Sequence, residues 1–457
     1  MRAVVFVHRW LGILCGPLFV VWFASGIVMM YARMPELSRS ERRAHQPPLA
    51  LAAVQVSPVR AALGLIPESF RIQTLLGRPV FRIVSRGETM TMFADTGERF
   101  GGLTVDQAVD EARRFAPAQA AAARYIGRLV EPDQWTLESR GMLPLHHVAL
   151  GDAAGTELYL SERTGEVVLS TDARERRAAY AGAVLHWLYF TPLRRNGALW
   201  AQVVIGLSLA GSAMCLLGLV WGWFGVSARY HSPYRGWMRW HHYSGLAFGF
   251  VTFTWVFSGL LSMDPWDWHP TTTPARAQRD AFSGGALRLD RVQLGALTAP
   301  ELKEIEVGQF DAQPFLVFDG RAEGAREPDA LLAAARRAMP GAGVADAVWL
   351  ARYDAYYYDR NRELPLPVLR VRFEDPSRTW LYIDPRRGTP VRQEVRLTRL
   401  NRWIYHGLHS LDFPGFYYKR PLWDLVVILL SVGGLASIVT AAVPAWRRLR
   451  RTARRLL

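Results

Sequence analysis

Apolar positions along the chain gather into four long blocks. Residues about 10–32, 199–225, 243–263 and 422–446 are almost free of charge. Each is roughly 20 residues or more, enough at ~1.5 Å per residue to cross a ~30 Å hydrocarbon core as a helix. The stretches between them read differently. "PVFRIVSRGETMTMFADTGERFG", "TELYLSERTGEVVLS" and "PVLRVRFEDPSRTWLYIDPRRGTPVRQ" alternate apolar and polar positions and break at turn residues, as antiparallel hairpins do. "TVDQAVDEARRFAP" and "EPDALLAAARRAMP" are short amphipathic helices, each stopped by proline.

The blocks repeat. "HRWLGILCGPLFVVWFASG" (8–26) lies over "HHYSGLAFGFVTFTWVFSG" (241–259) at an offset of 233 without a gap. It matches His8 with His241, Gly12 with Gly245, Gly16 with Gly249, Trp22 with Trp255, and Ser25-Gly26 with Ser258-Gly259. At an offset of 223, "TELYLSERTG" meets "TWLYIDPRRG", "LHWLYF" (185–190) meets "LHSLDF" (408–413), and "LWAQVVI" (199–205) meets "LWDLVVI" (422–428). The chain is therefore two copies of one unit: helix, exported domain, helix. The second exported domain is shorter by about ten residues. Two spans per copy give both copies the same orientation, so their natural relation is a pseudo-two-fold axis along the membrane normal.

The expected layout is a first span in 1–32, an exported region with an interfacial helix in 33–198, and a second span in 199–225. A short link (226–242), a third span (243–263), a second exported region (264–421), a fourth span (422–446) and a basic tail (447–457) follow. The fold class is an integral membrane four-helix bundle bearing two exported α+β domains. The first apolar block is too long for a signal-peptide core and has no small-x-small site after it, which makes it an uncleaved anchor.

Charge settles orientation rather than partner. The formal net charge is +15, almost all of it arginine; Lys303 and Lys419 are the only lysines. Nucleic acid is a poor expectation for this pattern. The tail "RRLRRTARRLL" follows the fourth block, and Arg229, Arg235 and Arg239 fill the short link. The positive-inside rule then puts both termini and the link in the cytoplasm and the long connections outside, in a periplasm. The two cysteines, Cys15 and Cys215, both lie in apolar blocks, so the exported regions have no disulfide framework.

Four of the eleven histidines occupy duplicated positions. His8 and His241 start spans one and three at the cytoplasmic face. His186 and His409 stand 14 residues before Trp200 and Trp423, at the outer face. Pseudo-symmetry brings the members of each pair to equivalent places around one axis, and two imidazoles across a bundle suit a bis-histidine haem. Gly12, Gly16, Gly245 and Gly249 lie on the same stripe and would clear space for a flat porphyrin, although glycines at this spacing commonly mark close helix packing. His242 and His406 adjoin duplicated histidines, and either could replace its neighbour as ligand or bind a haem propionate. His146, His147, His45, His231 and His269 have no duplicated partner and read as surface residues, His146-His147 being the best of them for a periplasmic metal contact. Trp22 and Trp255 lie between the two levels, either on an electron path or as core filling. Trp237, Trp240, Trp200 and Trp423 fit an aromatic belt. Asp264, Asp267, Asp412 and Asp424 cap helices or shape the exported surface. There is no Walker loop, no GxGxxG after a strand, no CxxC and no HExxH, and no chain of intramembrane carboxylates for a proton-coupled transporter.

At "VHRWLG", "WHHYSG", "LHWLYF" and "YHGLHSLDFP…YKRPLWDLVVILLSVGG" the sequence resembles the PepSY-associated transmembrane family, and "SERTGEV" and "DPRRGTPV" resemble PepSY domains. The resemblance covers nearly the whole chain. It implies two periplasmic PepSY-like α+β domains and a place in the bacterial inner membrane. The family includes siderophore-iron reductases of the FoxB type, which implies two b-type haems held by His8, His241, His186 and His409. A cytoplasmic flavoprotein or quinol would be the electron donor, and a ferric siderophore or other Fe(III) chelate the acceptor, releasing Fe(II). The rival expectations are a haem-free, membrane-anchored PepSY module that binds peptides or regulates a protease, and a transporter of haem or iron chelates.

Overall fold

A computed structural model describes residues 2–118, 122–224, 226, 231–294 and 301–456. The chain divides into two compact units. One comprises Met1–Met34, Glu175–Pro270 and Arg399–Leu457; the other comprises Pro35–Arg174 and Thr271–Thr398.

Among the described residues, the first unit holds four helices long and apolar enough to cross a membrane. They are span one (Arg2–Met29), span two (Gly197–Phe224), span three (Trp237–Ser262) and span four (Leu422–Leu456). The helices outrun the apolar blocks. Span three starts at Trp237 rather than 243, which places His241 and His242 inside it, and span four carries the basic tail on to Leu456 as helix. A helix satisfies its own backbone at any depth, so a change from apolar to basic side chains does not end it. Arg235 precedes span three and Arg239 lies in its first turn, whereas Arg229 is outside the described residues.

Aromatic side chains fill the bundle where glycines let helices approach. Phe19, Phe23, Cys15, Cys215 and Val256 form its buried core. A Cβ on Gly433 of span four would meet the Phe248 ring of span three, and one on Gly434 would meet the Phe23 ring of span one, each at 2.3 Å. Two adjacent glycines thus seat span four against two neighbours, the small-residue packing that membranes favour where water gives no hydrophobic drive.

The second unit holds both α+β regions, which share a sheet. Its strands are β1 (Pro67–Leu75), β2 (Arg78–Ser85), β3 (Glu88–Phe93), β4 (Arg124–Leu129), β5 (Leu145–Ala149), β6 (Glu157–Ser161) and β7 (Val167–Thr171). The second copy supplies β8 (Ile305–Phe310), β9 (Gln313–Phe318), β10 (Arg321–Ala322), β11 (Val344–Leu350), β12 (Val368–Phe373), β13 (Trp380–Asp384) and β14 (Thr389–Glu394). The copies share one six-stranded sheet of order β10-β9-β8-β1-β2-β3. Its seam pairs β1 with β8 antiparallel, Ile72 opposite Ile305 and Arg71 opposite Glu306. Ile72 and Ile305 are themselves related by the offset of 233, so the pseudo-two-fold axis of this unit passes through that pair. Left apart, β1 and β8 would each be an exposed edge; pairing removes both edges at once.

The remaining strands form two four-stranded sheets of matching order, β4-β5-β6-β7 and β11-β12-β13-β14. Helices Val105–Phe115 and Pro328–Ala338, at the offset of 223, bury Ala108, Ala112 and Phe115 in one copy and Leu331, Ala334, Ala335 and Ala338 in the other. Thr104 and Gln107 close a capping box on the first of these helices. The ten residues missing from the second copy fall between these landmarks, where six-residue β3 becomes two-residue β10.

Gly434→Ala should lower the thermal midpoint of the detergent-solubilised protein, since overpacking a tight core contact costs about 1–3 kcal/mol. An unchanged midpoint would contradict the packing of span four described above.

Candidate functional site

The duplicated histidines form two facing pairs within the bundle. The His8 and His241 ring centres are 6.2 Å apart with planes at 24°. Those of His186 and His409 are 6.1 Å apart with planes at 70°. Two imidazoles that each place a nitrogen about 2 Å from a shared metal have ring centres roughly 6 Å apart. Both pairs meet that spacing.

Every one of the four rings is fixed through Nδ1. The Nδ1–H of His8 donates to the Met214 carbonyl at 2.9 Å, and that of His241 to the Ser437 carbonyl at 2.9 Å. Met214 and Ser437 are equivalent positions on spans two and four, at the offset of 223. The Nδ1–H of His186 reaches the Trp22 carbonyl at 3.1 Å and Ser25 Oγ at 3.2 Å. That of His409 reaches the Trp255 carbonyl at 3.0 Å and Ser258 Oγ at 3.1 Å. The two serine hydroxyls donate their own protons along the span, Ser25 to Val21 O at 2.6 Å and Ser258 to Trp255 O at 3.0 Å, and so face the imidazoles as acceptors. A ring whose Nδ1 keeps its proton for a carbonyl carries its lone pair on Nε2, the tautomer and orientation that metal-ligating histidines adopt. Burial and the neighbouring His409 push the His186 ring down to about 4, so it is neutral at pH 7.

Glycines shape the space around the rings. A Cβ on Gly218 would lie 2.5 Å from His8 Cε1. A Cβ on Gly26 would lie 3.3 Å from His186 Cε1, and one on the equivalent Gly259 would lie 3.5 Å from His409 Cε1. Along the stripe behind the first pair, a Cβ on Gly12 or Gly16 would find only one atom, at 3.8 Å, and one on Gly245 would find nothing within 4 Å. A side-chain methyl would be tolerated at all three, so close helix packing does not require glycine there. Gly249 differs, with Leu219 Cδ2 at 3.0 Å. Among the described residues, neither pair has a third His, Cys, Asp or Glu to complete a site for a bare metal ion.

The second pair sits at the ends of two matching helical segments. Helix Ala173–Trp187 contains a π-helical turn at Tyr180–Val184, and its counterpart contains one at Arg402–Gly407. Such turns concentrate at functional sites. Each segment ends two residues past the histidine at a leucine in the left-handed region, Leu188 (φ 54°) and Leu411 (φ 48°). A non-glycine residue pays strain there, so the surroundings must hold it. Two tryptophans do so. The Trp200 indole N–H donates to Trp187 O at 2.9 Å, and that of Trp423 to Ser410 O at 3.1 Å and Leu411 O at 3.2 Å. Trp423 is buried. These two hold the histidine-bearing turns, whereas Trp237 and Trp240 are exposed.

The neighbouring histidines separate from the pairs. Both His242 nitrogens are engaged, Nδ1 with Ser232 Oγ and Nε2 with Gly222 O, each at 2.9 Å, which ties the link to the end of span two. His406 packs against Tyr405, with ring centres 4.7 Å apart, while His409 occupies the position equivalent to His186. His146 is not a surface residue. It is buried, with Tyr125 OH and Leu103 O each 3.0 Å from its nitrogens, and His147 Nε2 pairs with Glu157 at 2.9 Å. Among the described residues neither belongs to a group of three side chains that could hold a metal ion. Trp22 and Trp255 supply the carbonyls that hold the second pair, and the Trp255 ring lies 5.8 Å from that of Phe23 in the core. Asp412 pairs with Arg402 in a buried contact, and Asp424 with Arg420 at 2.9 Å, so these carboxylates brace the bundle end.

Residues 5–314, which take in most of span one and all of spans two and three, match the family described as the PepSY-associated TM region. The chain belongs to that family. No curated protein matches it. The match ends before His409 and span four, so the internal duplication alone extends the family's pattern to the fourth helix. The chain is a membrane protein by both the family match and its four apolar helices.

Nitrogen-15 spectra of histidine-labelled, ligand-free protein should show His8, His241, His186 and His409 as the Nδ1–H tautomer. Protonation of these rings at Nε2 instead would contradict the arrangement.

Proposed function

We propose that the chain is a di-haem oxidoreductase of the bacterial inner membrane that reduces a ferric siderophore or similar Fe(III) chelate and releases Fe(II). One observation carries the reading: both histidine pairs, though held by carbonyls of different helices, share the same fixed Nδ1 and the same spacing for one metal. A b-type haem held by such a pair would supply reversible one-electron transfer.

The protein's part is to hold and shield. His8 and His241 would bind one haem and His186 and His409 the other, each through Nε2. Gly26 and Gly259 let the second pair's rings lie against spans one and three, and Trp200 and Trp423 hold their turns. His8 and Ser25, which touch the two levels, are 17 residues apart on span one, or ~25 Å of helix. The levels therefore stand at opposite ends of the span, as a donor and an acceptor on opposite membrane faces require. The arginine pattern favours a cytoplasmic flavoprotein or quinol as donor and a periplasmic acceptor. Hard oxygen ligands hold Fe(III) far better than Fe(II), so reduction loosens the chelate, and the arginine-rich exported unit attracts anionic chelates.

Purified protein supplied with haem should show a Soret band and bind two haems per chain. Alanine at His8, His241, His186 or His409 should each remove about half of the bound haem, and His242→Ala should leave both. A chain with no Soret band after haem supply would return the protein to the haem-free PepSY module as the better reading.

A further inference from the structure

Span four does not end where its apolar block ends. The helix Leu422–Leu456 has 35 residues, ~52 Å at ~1.5 Å per residue, against a hydrocarbon core of ~30 Å. The excess falls in "WRRLRRTARRLL" (446–457), six of whose residues are arginine.

The helical register sorts this segment into two faces. Trp446, Leu449 and Ala453 recur at i, i+3 and i+7 on one of them. Arg447, Arg451 and Arg454 recur at i, i+4 and i+7 on the other, with Arg448 beyond them. Trp446 is 57% exposed and Leu449 37%. Arg450 stands at the boundary, its guanidinium 4.9 Å from the centre of the Trp446 ring, so that the aliphatic stem covers apolar surface while the charge stays outside.

The bundle offers these arginines no carboxylate. Residues 1–35, 176–263 and 425–457 contain neither Asp nor Glu, and the side chains of Arg447, Arg448, Arg450, Arg451 and Arg454 are all exposed. Basic residues beside a span satisfy the positive-inside rule in any arrangement. Their separation from an apolar stripe is an additional feature, and a straight helical extension leaves that stripe in water. Pro444 lies inside the helix two residues before Trp446. It has no N–H for the Thr440 carbonyl, which makes it a place where the helix can bend.

We infer that the tail is an amphipathic docking helix for anionic lipid headgroups. It lies on the leaflet at which span four ends, with Trp446, Leu449 and Ala453 at the acyl boundary and the arginines on the phosphates. The inference stands on the tail alone and is independent of haem.

The test uses the full chain in nanodiscs with a spin label at Ala453→Cys; Cys15 and Cys215 are buried in the bundle core and stay unlabelled. In discs of phosphatidylcholine with phosphatidylglycerol, the label should lose severalfold of its accessibility to a water-soluble nickel chelate and gain accessibility to oxygen. In pure phosphatidylcholine it should stay in water, as should a label at Arg448→Cys in either disc. High salt should release the docked tail. Arg447→Gln, Arg451→Gln and Arg454→Gln together should release it too, at about fivefold per arginine, or roughly a hundredfold in the docked population. A label at residue 453 equally wet in both discs would overturn the inference, and is also the result expected if the tail served an acidic soluble protein instead. Equal burial in both discs would overturn it as well, as would burial that salt and the triple variant leave unchanged. Should the triple variant fail to assemble, the lipid and salt dependence of the unsubstituted tail decides.

Discussion

The donation of each histidine Nδ1–H to a carbonyl on a neighbouring helix is the constraint on which the site depends. It does three things with one hydrogen bond. It selects the tautomer, sets the direction of Nε2, and ties that direction to a rigid helix rather than to a loop. His8 and His241 use carbonyls of spans two and four; His186 and His409 use carbonyls of spans one and three. The two spans that carry the first pair of rings supply the carbonyls for the second pair. A slip of one span against another would move carbonyl and ring apart, so bundle packing and site geometry are one requirement.

That coupling explains where the sequence shows small residues. Gly433 and Gly434 seat span four, and with it the Ser437 carbonyl one turn further on. Gly218 lies one turn past Met214 on span two and leaves room for the His8 ring. Ser25-Gly26 and Ser258-Gly259 combine both tasks, the hydroxyl accepting from the imidazole and the glycine leaving space for it.

Much of this was legible in the sequence, and the exceptions share a cause. The four spans and the four duplicated histidines follow from apolar length and from an ungapped offset, both local patterns. The Ser-Gly repeat was visible but mute, because its partner is 161 residues away in one copy and 151 in the other. Trp200 and Trp423 read as belt residues because interfacial tryptophan is common; their bonds to the ends of the histidine turns are tertiary. His242 looked equivalent to His241 until Gly222 O and Ser232 claimed its two nitrogens. The shared sheet was hidden for a similar reason. Alternation reveals a strand and its buried face, but not which edge strand closes on which.

Ring orientation offers the most direct test of two histidine pairs each sharing one iron. The planes of the first pair are nearly parallel, at 24°, and those of the second nearly perpendicular, at 70°. Parallel axial imidazoles give a ferric haem a rhombic low-spin resonance; perpendicular ones give a strongly anisotropic one. Electron paramagnetic resonance of the oxidised, haem-loaded protein should show both low-spin signals in equal amounts. A single low-spin species, or a dominant high-spin signal from iron with an open axial position, would contradict the account.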